Sequence, residues 1–127
     1  MSTTGINHFN LRAPRPLLEE LREFYCAVVG LVQGARPAFP RFGYFLYAGK
    51  QDVLHLTESR PDEIRSTEVK TTFDHIAFTC TDLTAVESRL TRHGVSFERG
   101  EIPSTRQRQL FFRDPAGNGV ELTFTEE

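Results

Sequence analysis

Four side chains in this 127-residue chain have the chemistry and the spacing of metal ligands: His8, His55, His75 and Glu121. His8 lies in Asn7-His8-Phe9-Asn10-Leu11, and His75 lies in Asp74-His75-Ile76-Ala77-Phe78, 67 residues later. His55 lies in Val53-Leu54-His55-Leu56-Thr57, and Glu121 lies in Gly119-Val120-Glu121-Leu122-Thr123, 66 residues later. A repeat of about half the chain, with one residue of slippage, predicts a duplicated module. Three imidazoles and one carboxylate suit zinc, nickel, iron, manganese or cobalt, whereas calcium and magnesium want more oxygen donors. Four protein ligands around tetrahedral zinc would close the site, so catalysis calls for a six-coordinate ion with two exchangeable waters.

Positioning these ligands falls to strands, whose side chains alternate between faces. Phe9 and Leu11 oppose His8, Leu54 and Leu56 oppose His55, Ile76 and Phe78 oppose His75, and Val120, Leu122 and Phe124 oppose Glu121. If the apolar faces pack on helices, all four candidates point into one shared concavity. The same parity, absent a bulge, leaves Glu58 and Asp74 out of the ligand set. His93, in the last turn before Gly94, reads as a solvated residue favoured by a helix dipole. Cys26 and Cys80 stand one in each half within apolar stretches, far from any Cys-x-x-Cys spacing, and read as buried free thiols.

Residues 6–12 alternate and run into Ala13-Pro14-Arg15-Pro16, where proline removes the ladder donor and then suits the first turn of a helix. Leu17, Leu21, Phe24 and Val28, joined by Leu18 and Tyr25, predict that helix, and Gly30 its left-handed cap. A short strand near Leu31 to Gly34 precedes a hairpin of residues 41–48 and 52–57 around Gly49-Lys50-Gln51. Polar residues from Ser59 to Thr71 form a connector. The second half repeats the order: a strand at 73–80, a helix opened by a Thr84-x-x-Glu87 capping box and closed by Gly94, strands near Val95 to Glu98 and at Gln107 to Arg113, and a last strand through Thr125. Asp114-Pro115-Ala116-Gly117-Asn118-Gly119 is the turn before that last strand. Neither helix alternates with strands as in a doubly wound sheet, so the fold class is α+β. The organisation expected is one domain over 1–127, with a first βαβββ module at 5–58, a connector at 59–71 and a second βαβββ module at 72–126.

With 39% hydrophobic and 25% charged residues the chain reads as soluble and globular, not disordered. A net charge of −2 with dispersed Lys and Arg offers no basic stripe, which argues against nucleic acid as a partner. No apolar run approaches 18 residues, which argues against the membrane, and the first residues lack a secretory signal, which predicts a cytoplasmic protein.

With the repeat, the histidines and the ending Phe111-Phe112-Arg113-Asp114-Pro115-x-Gly117-Asn118-x-Val120-Glu121-Leu122 in view, the chain resembles the vicinal oxygen chelate superfamily over residues 5–125. That group includes glyoxalase I, methylmalonyl-CoA epimerase, fosfomycin-resistance thiol transferases, extradiol dioxygenases and bleomycin-binding proteins. Phe24-Tyr25-x-x-Val28-x-Gly30-Leu31 is similar to the family's first helix and its exit. The resemblance implies two βαβββ modules forming a cup-shaped, partly open mixed-sheet barrel with helices outside. It also implies a divalent ion held by His8, His55, His75 and Glu121, a small-molecule substrate and a homodimer.

The chain departs from the pattern at residue 55, where a glyoxalase I resemblance implies Glu and an epimerase resemblance Gln. With histidine there, a divalent centre would carry net charge +1 and favour an anionic or enolate-like ligand. The expected activity is glyoxalase-like: a substrate chelated through adjacent oxygens, its oxyanion stabilised as a proton or group is transferred, with Glu121 the candidate catalytic base. Two other readings stand beside it. If His55 is not a ligand, His8, His75 and Glu121 make the two-histidine, one-carboxylate set of an extradiol-type iron dioxygenase. A metal-free cup would make a drug- or metabolite-binding protein. Arg106 and Arg108 are candidates for gripping a substrate carboxylate or phosphate, and Tyr44, Tyr47 and Phe73 for apolar walls.

Overall fold

Parallel pairing of the first and last strand in each half brings the repeated residues side by side. The structure, a computed structural model, describes residues 2–125. The chain divides into two compact units, Met1–Ser66 and Thr67–Glu127, so the division falls within the polar 59–71 segment. In the first unit β1 (Phe9–Ala13) leads through α1 (Arg15–Phe24) to β2 (Val32–Gly34), β3 (Gly43–Ala48) and β4 (Gln51–Glu58). In the second, β5 (His75–Cys80) leads through α2 (Leu83–Arg92) to β6 (Glu98–Ile102), β7 (Gln107–Arg113) and β8 (Gly119–Phe124). Each unit is a βαβββ module with a four-stranded mixed sheet, ordered β1-β4-β3-β2 and β5-β8-β7-β6. The fold class is α+β, as the sequence predicts.

Alternation decides which face of each sheet is buried. Leu54 and Leu56 in β4, and Val120, Leu122 and Phe124 in β8, are all 1% exposed or less. Each such leucine contributes about 1.5–3 kcal/mol through burial. In the first unit these residues meet Leu18, Leu21 and Tyr25 of the helix, while Leu17 and Phe24 are only half-buried. After Phe24 the helix widens into a π turn, Tyr25–Val29, which buries Val28 and Val29 together before Gly30 (φ 102°) ends it left-handed.

Two local expectations shift. Asp82, not Thr84, caps α2: its carboxylate accepts from the Ala85 amide at 3.3 Å, and Glu87 is held instead by the guanidinium of Arg99 at 2.7 Å. A carboxylate caps as well as a hydroxyl, and the Asp82-Leu83-Thr84 order lets it act two residues earlier. The sixth strand begins at Glu98 and not at Val95, because Val95 is drawn into closing α2 by donating its amide to the Leu90 carbonyl.

Candidate metal centre

In the first unit, Asn10 pairs with His55 across the parallel β1–β4 ladder, and His8 lies two residues before Asn10. In the second, Ala77 pairs with Glu121 across β5–β8, and His75 lies two residues before Ala77. The register is therefore the same in both modules: each pair sits diagonally across the central ladder on the face opposite the buried leucines. Gly119, the Cα partner of His75, has no room for a Cβ against the Asp74 carbonyl, so glycine permits the close approach there.

His75 and Glu121 touch directly. The His75 Nε2 lies 2.9 Å from Glu121 Oε1, and its Nδ1 lies 2.8 Å from Asp74 Oδ2. Carboxylates only accept, so this pair of contacts favours the charged form of the ring. Its pKa is accordingly raised, first by the bond to Asp74 and then by the charge of Glu121, against the opposing effect of desolvation. Asp74 is held below its usual range by the same bond. Glu121 is 7% exposed, and its second oxygen accepts from Gln109 Nε2 at 3.0 Å.

His8 and His55 do something different. Their rings stack at 3.7 Å, and His55 stacks on Phe45 at 3.6 Å with the planes only 6° apart. His55 Nε2 is taken by Asp52 Oδ2 at 2.6 Å, while His8 Nδ1 lies 2.7 Å from Asn7 Oδ1. A one-residue register slip between β3 and β4, near Leu46 and Ala48, turns Asp52 to the His55 side. Parity counting from a straight strand misses Asp52 for that reason. It also passes over Gln109, whose alternation with Leu110 and Phe112 would have placed it on the Glu121 face.

Other candidates are placed elsewhere. Glu58 is held by Arg15 through two hydrogen bonds of 3.0 and 3.1 Å. Asp74 precedes β5 and so escapes strand parity; it orients His75 from the Nδ1 side. Arg108 shares the face of buried Leu110 and Phe112, opposite to that of Glu121, and Arg106 is exposed at a left-handed turn position (φ 61°). Tyr44 donates to Glu19 of α1 at 2.6 Å, so it lies on the helix side and not on the face of His55. Cys26 and Cys80 are half-buried free thiols whose pKa values are pushed up by burial, the opposite of what a nucleophile needs.

The donor chemistry fits a divalent cation. His75, fixed at Nδ1 by a carboxylate and presenting Nε2 to the oxygen of a buried glutamate, has the outer-sphere arrangement that orients a metal-binding imidazole. Among the described residues no three His, Cys, Asp or Glu side chains gather as a cluster; within each unit the candidates come as a pair.

A family model described as the Glyoxalase/Bleomycin resistance protein/Dioxygenase superfamily matches residues 5–122. The chain belongs to this superfamily. Glyoxylase I 4 of Arabidopsis thaliana is 28% identical over 123 residues, which cover 94% of this chain and 70% of the relative. Among solved structures, a glyoxalase family protein from Bacillus anthracis superposes with a TM-score of 0.74 at 20% identity, covering 99% of this chain and 98% of that one. Lactoylglutathione lyase from Agrobacterium tumefaciens gives 0.67 at 21% identity, covering 98% and 96%. At such identities the superpositions establish the superfamily's fold and leave the reaction to the site itself. No helix is long and apolar enough to cross a membrane among the described residues.

Proposed function

We propose that this member of the glyoxalase superfamily is a divalent-metal-dependent enzyme acting on a small substrate that offers two adjacent oxygens. The observation that carries the reading is the His75–Glu121 pair, ordered by Asp74 on one side and Gln109 on the other. His8, His75 and Glu121 would hold the ion through their ring nitrogens and carboxylate oxygen. His55 would join them on exchanging its bond to Asp52. A bound ion supplies Lewis acidity that polarises the chelated oxygens and stabilises negative charge developing there.

The chain's own residues then do the rest. Glu121, buried and held at its second oxygen by Gln109, is the candidate proton carrier. Asp74 holds the His75 ring in one orientation, and stacking of His8 on His55 and of His55 on Phe45 orients the two imidazoles of the first unit. Homodimerisation and a cytoplasmic location belong to the same proposal.

A second reading rests on the bond between His55 and Asp52. With His55 held there, the set reduces to His8, His75 and Glu121, the ligand set of an iron-dependent extradiol dioxygenase. Elemental analysis of freshly purified protein and of His55→Ala separates the two. A lower metal content and affinity on substitution supports four ligands and the glyoxalase-like enzyme; unchanged content and affinity, with oxygen uptake on catechols after iron loading, supports the dioxygenase. Protein that binds none of zinc, nickel, manganese, cobalt or iron would overturn both and leave a metal-free binding protein.

A further inference from the structure

The loop between β2 and β3, residues 35–42, folds onto the same face as His55. Phe45 is the Cα partner of His55, its ring stacks on the imidazole, and its neighbour Leu46 is fully buried on the other face. The Arg36 guanidinium lies 5.9 Å from the Phe45 ring centre and 4.9 Å from that of Phe39, which is half exposed and itself 6.1 Å from Phe45. A column of four rings, Phe39, Phe45, His55 and His8, therefore carries a cation at its loop end.

That cation is incompletely satisfied. Arg36 Nη2 donates to the Arg41 carbonyl at 2.9 Å, but Arg36 Nε is buried with no hydrogen-bond partner among the described residues. A buried N–H without an acceptor costs free energy, and a guanidinium offers Nε and Nη2 as a fork matched to a carboxylate. The same unit shows that edge in use twice. Arg12 grips Glu63 through Nε and Nη2 at 2.9 and 2.7 Å, and Arg15 grips Glu58 through the same two atoms at 3.0 and 3.1 Å. Arg36 has the fork without the carboxylate.

We propose that Arg36 is the anion-binding residue of the site and that its ligands are carboxylates bearing an apolar or aromatic group. On a shift of the loop that uncovers Nε, the carboxylate takes Nε together with Nη2, displacing the Arg41 carbonyl, and the apolar group lies against Phe39 and Phe45. The loop's Pro37 and Pro40 limit how far its backbone strays when that exchange occurs. This assignment names the substrate class of the site in the proposed function and rests on that reading for its catalytic meaning. Its binding chemistry belongs to the first unit alone and needs no metal.

The test is binding of phenylacetate and of its uncharged analogue phenylacetamide to the full chain in EDTA, followed by proton–nitrogen NMR. Phenylacetate is expected to shift the Arg36 Nε–H resonance and to bind at least about tenfold more tightly than the amide, the difference a charge-assisted pair supplies. Arg36→Gln removes the preference, Arg36→Lys restores part of it, and Arg41→Gln keeps it whole, since only the Arg41 backbone is involved. Equal binding of acid and amide, no binding of either, an unmoved Nε–H signal or an unchanged preference in Arg36→Gln would each overturn the assignment. If Arg36→Gln fails to fold, the Nε–H response of the parent protein decides. Zinc or nickel titration of the same samples without EDTA reports on the metal centre separately, so loss of one reading leaves the other standing.

Discussion

The two modules share a register and differ in what they place on it. In the second, a histidine and a buried glutamate meet at 2.9 Å with ordered partners on their far sides. In the first, the equivalent positions hold two histidines that cannot complement each other's charge, and they stack face to face with Phe45 as a third layer. The modules thus share the backbone address of the pair, while the last-strand residue, Glu121 in one and His55 in the other, sets its electrostatics. The second module pairs an imidazole with a buried carboxylate, and the first stacks two imidazoles on an aromatic ring.

The largest effect on that comparison comes from the layer the modules have in common. Leu54→Ala and Leu122→Ala remove fully buried side chains from equivalent last strands, and each should cost about 2–5 kcal/mol by denaturant unfolding. Similar losses would show the modules to be equally packed. A loss confined to one would break the equivalence.

Glu121→Ala comes next, with an expected fall in metal affinity of at least about 100-fold in competitive titration, against about tenfold for His55→Ala because Asp52 already holds Nε2 there. Equal losses would mean that the two modules contribute alike. Asp74→Asn leaves the donor set intact but weakens the orientation of His75, and should reduce metal affinity about tenfold.

The smallest effect is a pH dependence confined to the first unit. Glu63 is held well below the ordinary carboxylate value of 4.5, chiefly by its bond to Arg12. A carboxylate with a depressed folded-state pKa contributes stability above its unfolded pKa, and that contribution fades as pH falls below about 4.5 toward the folded value. Melting curves between pH 3 and 6 should therefore show a shallower acid loss in Glu63→Gln than in the parent. Identical slopes would remove Glu63 as a source of acid sensitivity.

Both modules were legible in the chain because their signals are local. Alternation at Leu54-His55-Leu56 and Val120-Glu121-Leu122, Gly30 as a left-handed cap and the Gln107–Arg113 strand all follow from side-chain period and backbone sterics. The connector at 59–71 contains the boundary between the two compact units for a similar reason: it is polar and lacks a period. Asp82 as the cap of α2 was obscured by a neighbouring Thr84 and Glu87 that fit the same role, since propensity does not rank two adjacent caps.

The sequence by itself determined the module order and the buried face of each central strand, because strand period is a property of the covalent chain. Tertiary structure alone decided which partners the candidate ligands take. Asp52 reaches His55 through a slipped register, Gln109 reaches Glu121 across a ladder, and Arg36 comes to Phe45 on a loop whose path no periodicity records. Each of these contacts depends on where separate strands and loops meet in space, and pairwise approach between distant segments is set by packing, not by the spacing of residues along the chain.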